Sequence, residues 1–180
     1  MRGLIASISI AFAATASAED AKPADLFAPI YSVLQSPRCM NCHPAGNAPL
    51  QTDISRVHRM MVSRRMTELG MKCTGCHALQ NPADEHQPPG AHGWSLPPKE
   101  TPMVFQGRTA PQLCNQLKDP KQNGNKSLDQ LKSHFHEEPL VNWGFSPGAG
   151  RSKPPLTHEQ LLEAVEKWIK AGAPCPSEAP

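Results

Sequence analysis

Two short frames share one pattern, Cys39-Met40-Asn41-Cys42-His43 and Cys73-Thr74-Gly75-Cys76-His77. Thiols three residues apart lie on one side of a helical turn, where both can add to the two vinyl groups of one porphyrin. The histidine beside the second thiol shares that face, and its imidazole can meet the iron from below. C-x-x-C-H is the attachment signature of c-type haem, so its repetition predicts two covalently attached haem c groups. The cofactor-binding residues expected on this reading are Cys39, Cys42, His43, Cys73, Cys76 and His77, with His43 and His77 as proximal iron ligands. Zinc held by two C-x-x-C pairs would give no role to a histidine immediately after each second cysteine. A thioredoxin-like dithiol belongs inside a βαβ pattern, which the chain lacks. Disulfides within each pair are sterically possible but would be redox-active rather than structural.

Axial chemistry decides what such irons can do. Two filled axial positions leave no room for substrate, and the site then exchanges electrons and little else. Met103, in a Pro-flanked loop 26 residues after His77, is the expected distal ligand of the second haem. For the first haem it is His58, 15 residues after His43. His92 stands at the same offset from His77, so an internal repeat would instead make both haems bis-His. His134 is a further candidate; His136 is two residues on and points elsewhere, so the two cannot serve one iron. Met60, Met61 and Met66 are expected to pack, and His86 and His158 to face water. A Met/His haem beside a bis-His haem would form a graded pair, because methionine raises the potential relative to histidine.

Cys114 and Cys175 stand outside both frames. In an oxidising compartment their default is a disulfide, closing a loop of about 60 residues that is worth up to 4 kcal/mol. That compartment is indicated by the N-terminus. Met1-Arg2-Gly3 is a short positive start, Leu4 to Ala14 is apolar and small, and Ala16-Ser17-Ala18 fits the cleavage rule. The expectation is a signal peptide over residues 1–18, cleaved after Ala18, and a periplasmic di-haem cytochrome c domain over 19–180.

The elements that must hold these groups are helical. Leu26, Phe27, Ile30, Val33 and Leu34 fall on one face of a segment from Asp25 to Gln35, ended by Pro37. Ser55 to Leu69 is expected to form a short helix stopped by Gly70. Residues 81–102, rich in Pro and Gly and carrying Trp94, should be a loop wrapped on something apolar. Thr109 caps a helix through Lys118, and Ser127 opens another over Leu128 to Glu138, stopped by Pro139. Leu140 to Pro155 is again Pro/Gly-rich. Thr157 and Gln160 form a capping box for the clearest helix, running through Ala171 with the stripe Leu161, Leu162, Val165, Trp168 and Ile169. No strand pair stands out. The fold class expected is all-α, short cytochrome c-like helices wrapped around two covalent haems, with long Pro/Gly-rich loops.

Composition agrees with that economy. Of 180 residues 38% are apolar and only 5% aromatic, so two porphyrins would supply apolar bulk that the chain is short of. Eighteen basic residues against sixteen acidic ones form no long basic block, which excludes nucleic acid as an expected partner. No apolar run reaches the ~18 residues of a spanning helix, so no membrane span is expected.

Phe27-Ala28-Pro29-Ile30-Tyr31 leading into the first frame resembles the opening helix of bacterial class I c-type cytochrome domains. Trp168-Ile169-Lys170-Ala171-Gly172-Ala173-Pro174 is similar to their closing helix, and Thr101-Pro102-Met103-Val104-Phe105-Gln106-Gly107 to the loop that brings methionine to iron. The run from His43 to the end also resembles small exported di-haem proteins labelled as subunits of isoquinoline 1-oxidoreductase-type molybdenum hydroxylases. The resemblance implies an electron carrier, or an electron-transfer subunit, rather than an enzyme. Its partner would be a redox protein: a molybdenum hydroxylase as donor, and a membrane-bound acceptor toward a respiratory chain. The rival class is a di-haem enzyme of peroxidase or small-molecule reductase type with one open iron, which rapid CO binding would reveal. A sensor or permanently docked subunit is a third.

Overall fold

The structure, a computed structural model, describes residues 23–177; the expected signal peptide lies outside them. Among the described residues seven α-helices carry the fold: α1 (Pro23–Leu34), α2 (Pro37–Met40), α3 (Arg64–Glu68), α4 (Ala110–Lys118), α5 (Leu128–Glu137), α6 (Pro139–Phe145) and α7 (His158–Lys170). The mostly helical chain agrees with the expected all-α class. No helix among the described residues is long and apolar enough to cross a membrane.

The core follows the apolar stripes. Phe27, Ile30, Val33 and Leu34 of α1 are buried against Leu161, Val165 and Trp168 of α7 and Leu113 and Leu117 of α4. Phe27 and Trp168 rings meet at 5.6 Å, and the Trp168 indole donates to the Pro174 carbonyl at 2.8 Å. α5 packs on α6 and α7, and α2 bridges α1 and α6. Thr109, Ser127 and Thr157 each form a full capping box, at the three helix starts read from sequence. Cys114 of α4 is joined to Cys175, with Cα atoms 5.6 Å apart, so the tail after α7 is fastened to the middle of the chain.

Two expectations fail locally, and two helix-ending prolines prove to open helices as well. Ser55 to Leu69 is not one helix: Leu50–Gln51 (β1) pairs with Arg56–Val57 (β2) as a two-residue antiparallel ladder, then a 3-10 turn covers Arg59–Met61 before α3. Ser55, Met60 and Met61 take positive φ, which breaks a continuous right-handed α-helix. The ladder also supplies a strand pair where none was expected. Pro139 stops α5 but begins α6, because proline in a first turn forfeits only an amide that has no partner there. Pro37 likewise opens α2 rather than merely ending α1.

Candidate functional site

Both Cys-x-x-Cys-His frames fold into the same turn. In each, the second cysteine and the histidine direct their amides to the first cysteine's carbonyl: Cys42 and His43 to Cys39 at 3.2 Å, Cys76 at 3.1 Å and His77 at 2.9 Å to Cys73. The first turn continues α2; the second is a 3-10 turn over Cys73–Gly75. This compact turn is what paired attachment requires. Cys39, Cys42, Cys73 and Cys76 are all free thiols, while Cys114 and Cys175 are bridged.

α2 is pinned from both sides. Arg38, buried, bonds the Asp53 carboxylate and lies over the Trp143 ring of α6 at 6.0 Å. Asn41 donates to the Thr52 carbonyl at 2.9 Å and accepts from the Leu50 amide at 2.9 Å, tying the frame to β1. Burial pushes the Cys39 thiol up to about 11 and the Cys42 thiol up to about 12. Cys39 and, more weakly, Cys73 of the other frame add to the rise at Cys42, so the two frames are electrostatic neighbours.

Each frame's imidazole is held by the same device. His43 Nδ1 donates to the Met103 carbonyl at 2.7 Å, and its ring stacks on Phe105 at 3.9 Å. The Phe105 amide returns a bond to the His43 carbonyl at 2.9 Å, while Gln35 and Gln116 bond the carbonyls of Phe105 and Val104, each at 2.9 Å. His77 Nδ1 donates to the Pro89 carbonyl at 2.7 Å, and its ring stacks on Trp94 at 4.3 Å. Trp94 meets Trp143 edge-on at 4.8 Å. Asn81 closes this shell, accepting from the Gly90 amide at 3.1 Å and the Trp143 indole at 3.0 Å. A carbonyl can only accept, so Nδ1 carries the proton and Nε2 is left with its lone pair, the form a metal binds. Burial pushes His43 down to about 4 against the pull of the Met103 carbonyl, and lowers His77 against that of Pro89, in each case favouring the neutral ring.

The distal candidates are distributed differently from the expectation. Met103 was tied to the second frame; the structure sets its backbone against His43 of the first, at a strained φ of 46°. His58 was tied to the first frame; its ring stands 6.0 Å from His77 of the second. A protonated His134 of α5 would hold His43 lower still. His92 is exposed, on a cavity of about 510 Å³ shared with Trp143, Phe145 and His158. His86 is exposed as expected, but His158 is half-buried, donating through Nε2 to the Phe135 carbonyl at 2.7 Å and stacked on Phe145. Met60 and Met61, expected to pack, are 84% and 89% exposed, while Met66 is half-buried.

Each frame offers two free thiols and one imidazole whose Nε2 keeps its lone pair, the groups that a covalently attached porphyrin would ask of the chain. The large exposed hydrophobics among the described residues are Ile54, Val57, Met60, Met61, Leu69, Met71 and Leu79, all in or beside the segment joining the frames. Exposed apolar side chains gathered in one stretch of sequence leave that stretch with apolar surface free to cover another apolar group. The acceptors behind the proximal imidazoles, Met103 and Pro89, and the stacking partners Phe105 and Trp94 escaped the sequence reading; only the Pro-flanked Met103-x-Phe105 run carried a signal. Compared with known proteins, the chain matches no family model, no curated protein and no solved structure.

Proposed function

We propose that this chain is an exported di-haem c-type cytochrome, holding one haem through Cys39, Cys42 and His43 and the other through Cys73, Cys76 and His77. The observation that carries the reading is the twofold recurrence of one arrangement: a Cys-x-x-Cys-His turn, Nδ1 bonded to a carbonyl at 2.7 Å, and an aromatic ring stacked on the imidazole. When bound, each haem supplies a one-electron iron couple. The chain fixes the imidazole's tautomer and orientation, since a histidine bound to a metal through one nitrogen is aimed by the hydrogen bond at the other. Phe105 and Trp94 cover one face of each ring and limit its rotation.

The role that follows is electron transfer, from a partner oxidoreductase toward a respiratory chain. The resemblance noted above makes a molybdenum hydroxylase the donor we propose, with a membrane-bound acceptor downstream. Four haem propionates would turn the near-balanced chain mildly acidic, favouring a basic docking surface. The reading is tested by replacing the thiols pairwise. In a host that matures c-type cytochromes, Cys39→Ala/Cys42→Ala and Cys73→Ala/Cys76→Ala should each halve the pyridine haemochrome yield per chain. A yield unaffected by either pair would sink the assignment.

A further inference from the structure

We infer that His58 and His77 are the two axial ligands of a single iron, that of the haem attached through Cys73 and Cys76. The inference rests on the di-haem reading and deepens it, moving His58 from the first haem to the second. Three histidines, His43, His58 and His77, direct Nδ1 to a backbone carbonyl among the described residues, each at 2.7 Å; His58 uses the carbonyl of Arg59. All three therefore leave Nε2 bare, as iron requires. His158 is fixed the opposite way, with Nε2 donating. His134 Nδ1 faces the Glu138 carboxylate at 3.9 Å instead of a carbonyl.

Spacing then selects the pair. A nitrogen ~2 Å from a metal puts its ring centre ~3 Å away, so imidazoles on opposite sides of one metal have centres about 6 Å apart. His58 and His77 stand at 6.0 Å. Their planes are inclined at 57°, which ligation permits because each plane contains its own nitrogen–metal axis and is free to turn about it. Trp94 stacks on a face of His77, nearly parallel at 10°, and leaves the ring edge free. His58 is set by a constrained backbone. It precedes the 3-10 turn in which Met60 and Met61 both take positive φ, 63° and 51°, conformations that non-glycine residues hold only where the surroundings impose them. Those two methionines and Val57 beside His58 are among the exposed apolar side chains, so the ligand is delivered by a segment with an unsatisfied apolar surface.

Two imidazoles close the second iron to exogenous ligands and hold its potential below that of a Met/His haem. The test is His58→Ala in the mature holoprotein, read by haem count, electron paramagnetic resonance and CO titration of the reduced form. Two haems per chain should remain, one low-spin ferric signal should become high-spin, and one additional CO should bind per chain. Added imidazole should restore the low-spin signal. A single-haem chain lacking Cys39 and Cys42 should show the same response to His58→Ala, assigning it to the second haem. His58→Met guards against a collapsed variant and should bring a methionine–iron near-infrared band to that haem. The inference is overturned if His58→Ala leaves both spin states and CO binding unchanged, or if the change falls on the haem held by Cys39 and Cys42. A wild-type chain without haem would instead refute the di-haem reading itself.

Discussion

Alanine at position 90 would put its methyl carbon 2.1 Å from the Gln80 carbonyl oxygen and 2.5 Å from that of Ala78. Both are backbone atoms, so neither can swing aside as a flexible side chain would. Relief to an ordinary contact of about 3.5 Å requires the chain to move by more than ~1 Å. The neighbour of Gly90 is Pro89, whose carbonyl takes the His77 proton at 2.7 Å, and a shift of that size carries the bond out of range. Overpacking and the lost bond together destabilise by roughly 2–4 kcal/mol. His77, without its acceptor, becomes a weaker donor to ferric iron, so the second haem's potential should rise while the first's stays put. Guanidinium denaturation and a spectroelectrochemical titration of Gly90→Ala read both effects. A native denaturation midpoint with two unmoved couples would refute the reasoning.

Asn81→Ala removes the acceptor shared by the Gly90 amide and the Trp143 indole, and should cost about 2 kcal/mol in denaturant melts while broadening the second haem's signal first. Replacing Cys114 and Cys175 with serine frees a loop of 61 residues and should lower stability by about 4 kcal/mol with both haem spectra intact, as chemical denaturation will show. Trp168→Ala empties the fully buried contact with Phe27 and should cost about 3–5 kcal/mol by the same assay. Met103→Leu keeps the carbonyl that His43 uses and should leave the second haem's spectrum unchanged; disappearance of a near-infrared methionine band from that haem would show that Met103, not His58, is its ligand.

What could be read in advance divides along physical lines. Thr109, Ser127 and Thr157 announced their helices because capping chemistry is local, each side chain bonding an amide three residues on. The stripe of α7 was legible because its burial partner is the protein's own core. Residues 55–69 were misread for the converse reason. Gly70 marks a helix end, and α3 does stop just before it, but a stop signal says nothing of where the helix begins, and Val57, Met60 and Met61 are exposed with no core to define a helical face. Nor do Ser55, Met60 and Met61 carry the glycines that usually flag positive φ. The frames themselves were visible because thioether attachment needs neighbours in sequence. The acceptors behind their histidines were not, because a backbone carbonyl at Met103 or Pro89 has no residue signature. The proposed pairing of His58 with His77 is tertiary: the partner precedes its frame, whereas counting forward gave His58 to the first frame and Met103 or His92 to the second.

Covalent porphyrin is the claim on which every role proposed for these residues depends. Intact-mass analysis of the exported chain, produced alongside cytochrome maturation machinery, should find a polypeptide beginning at Glu19 with two haems that survive acid–acetone extraction. A chain of bare-peptide mass, or one whose only addition is a zinc ion that acid removes, would contradict it.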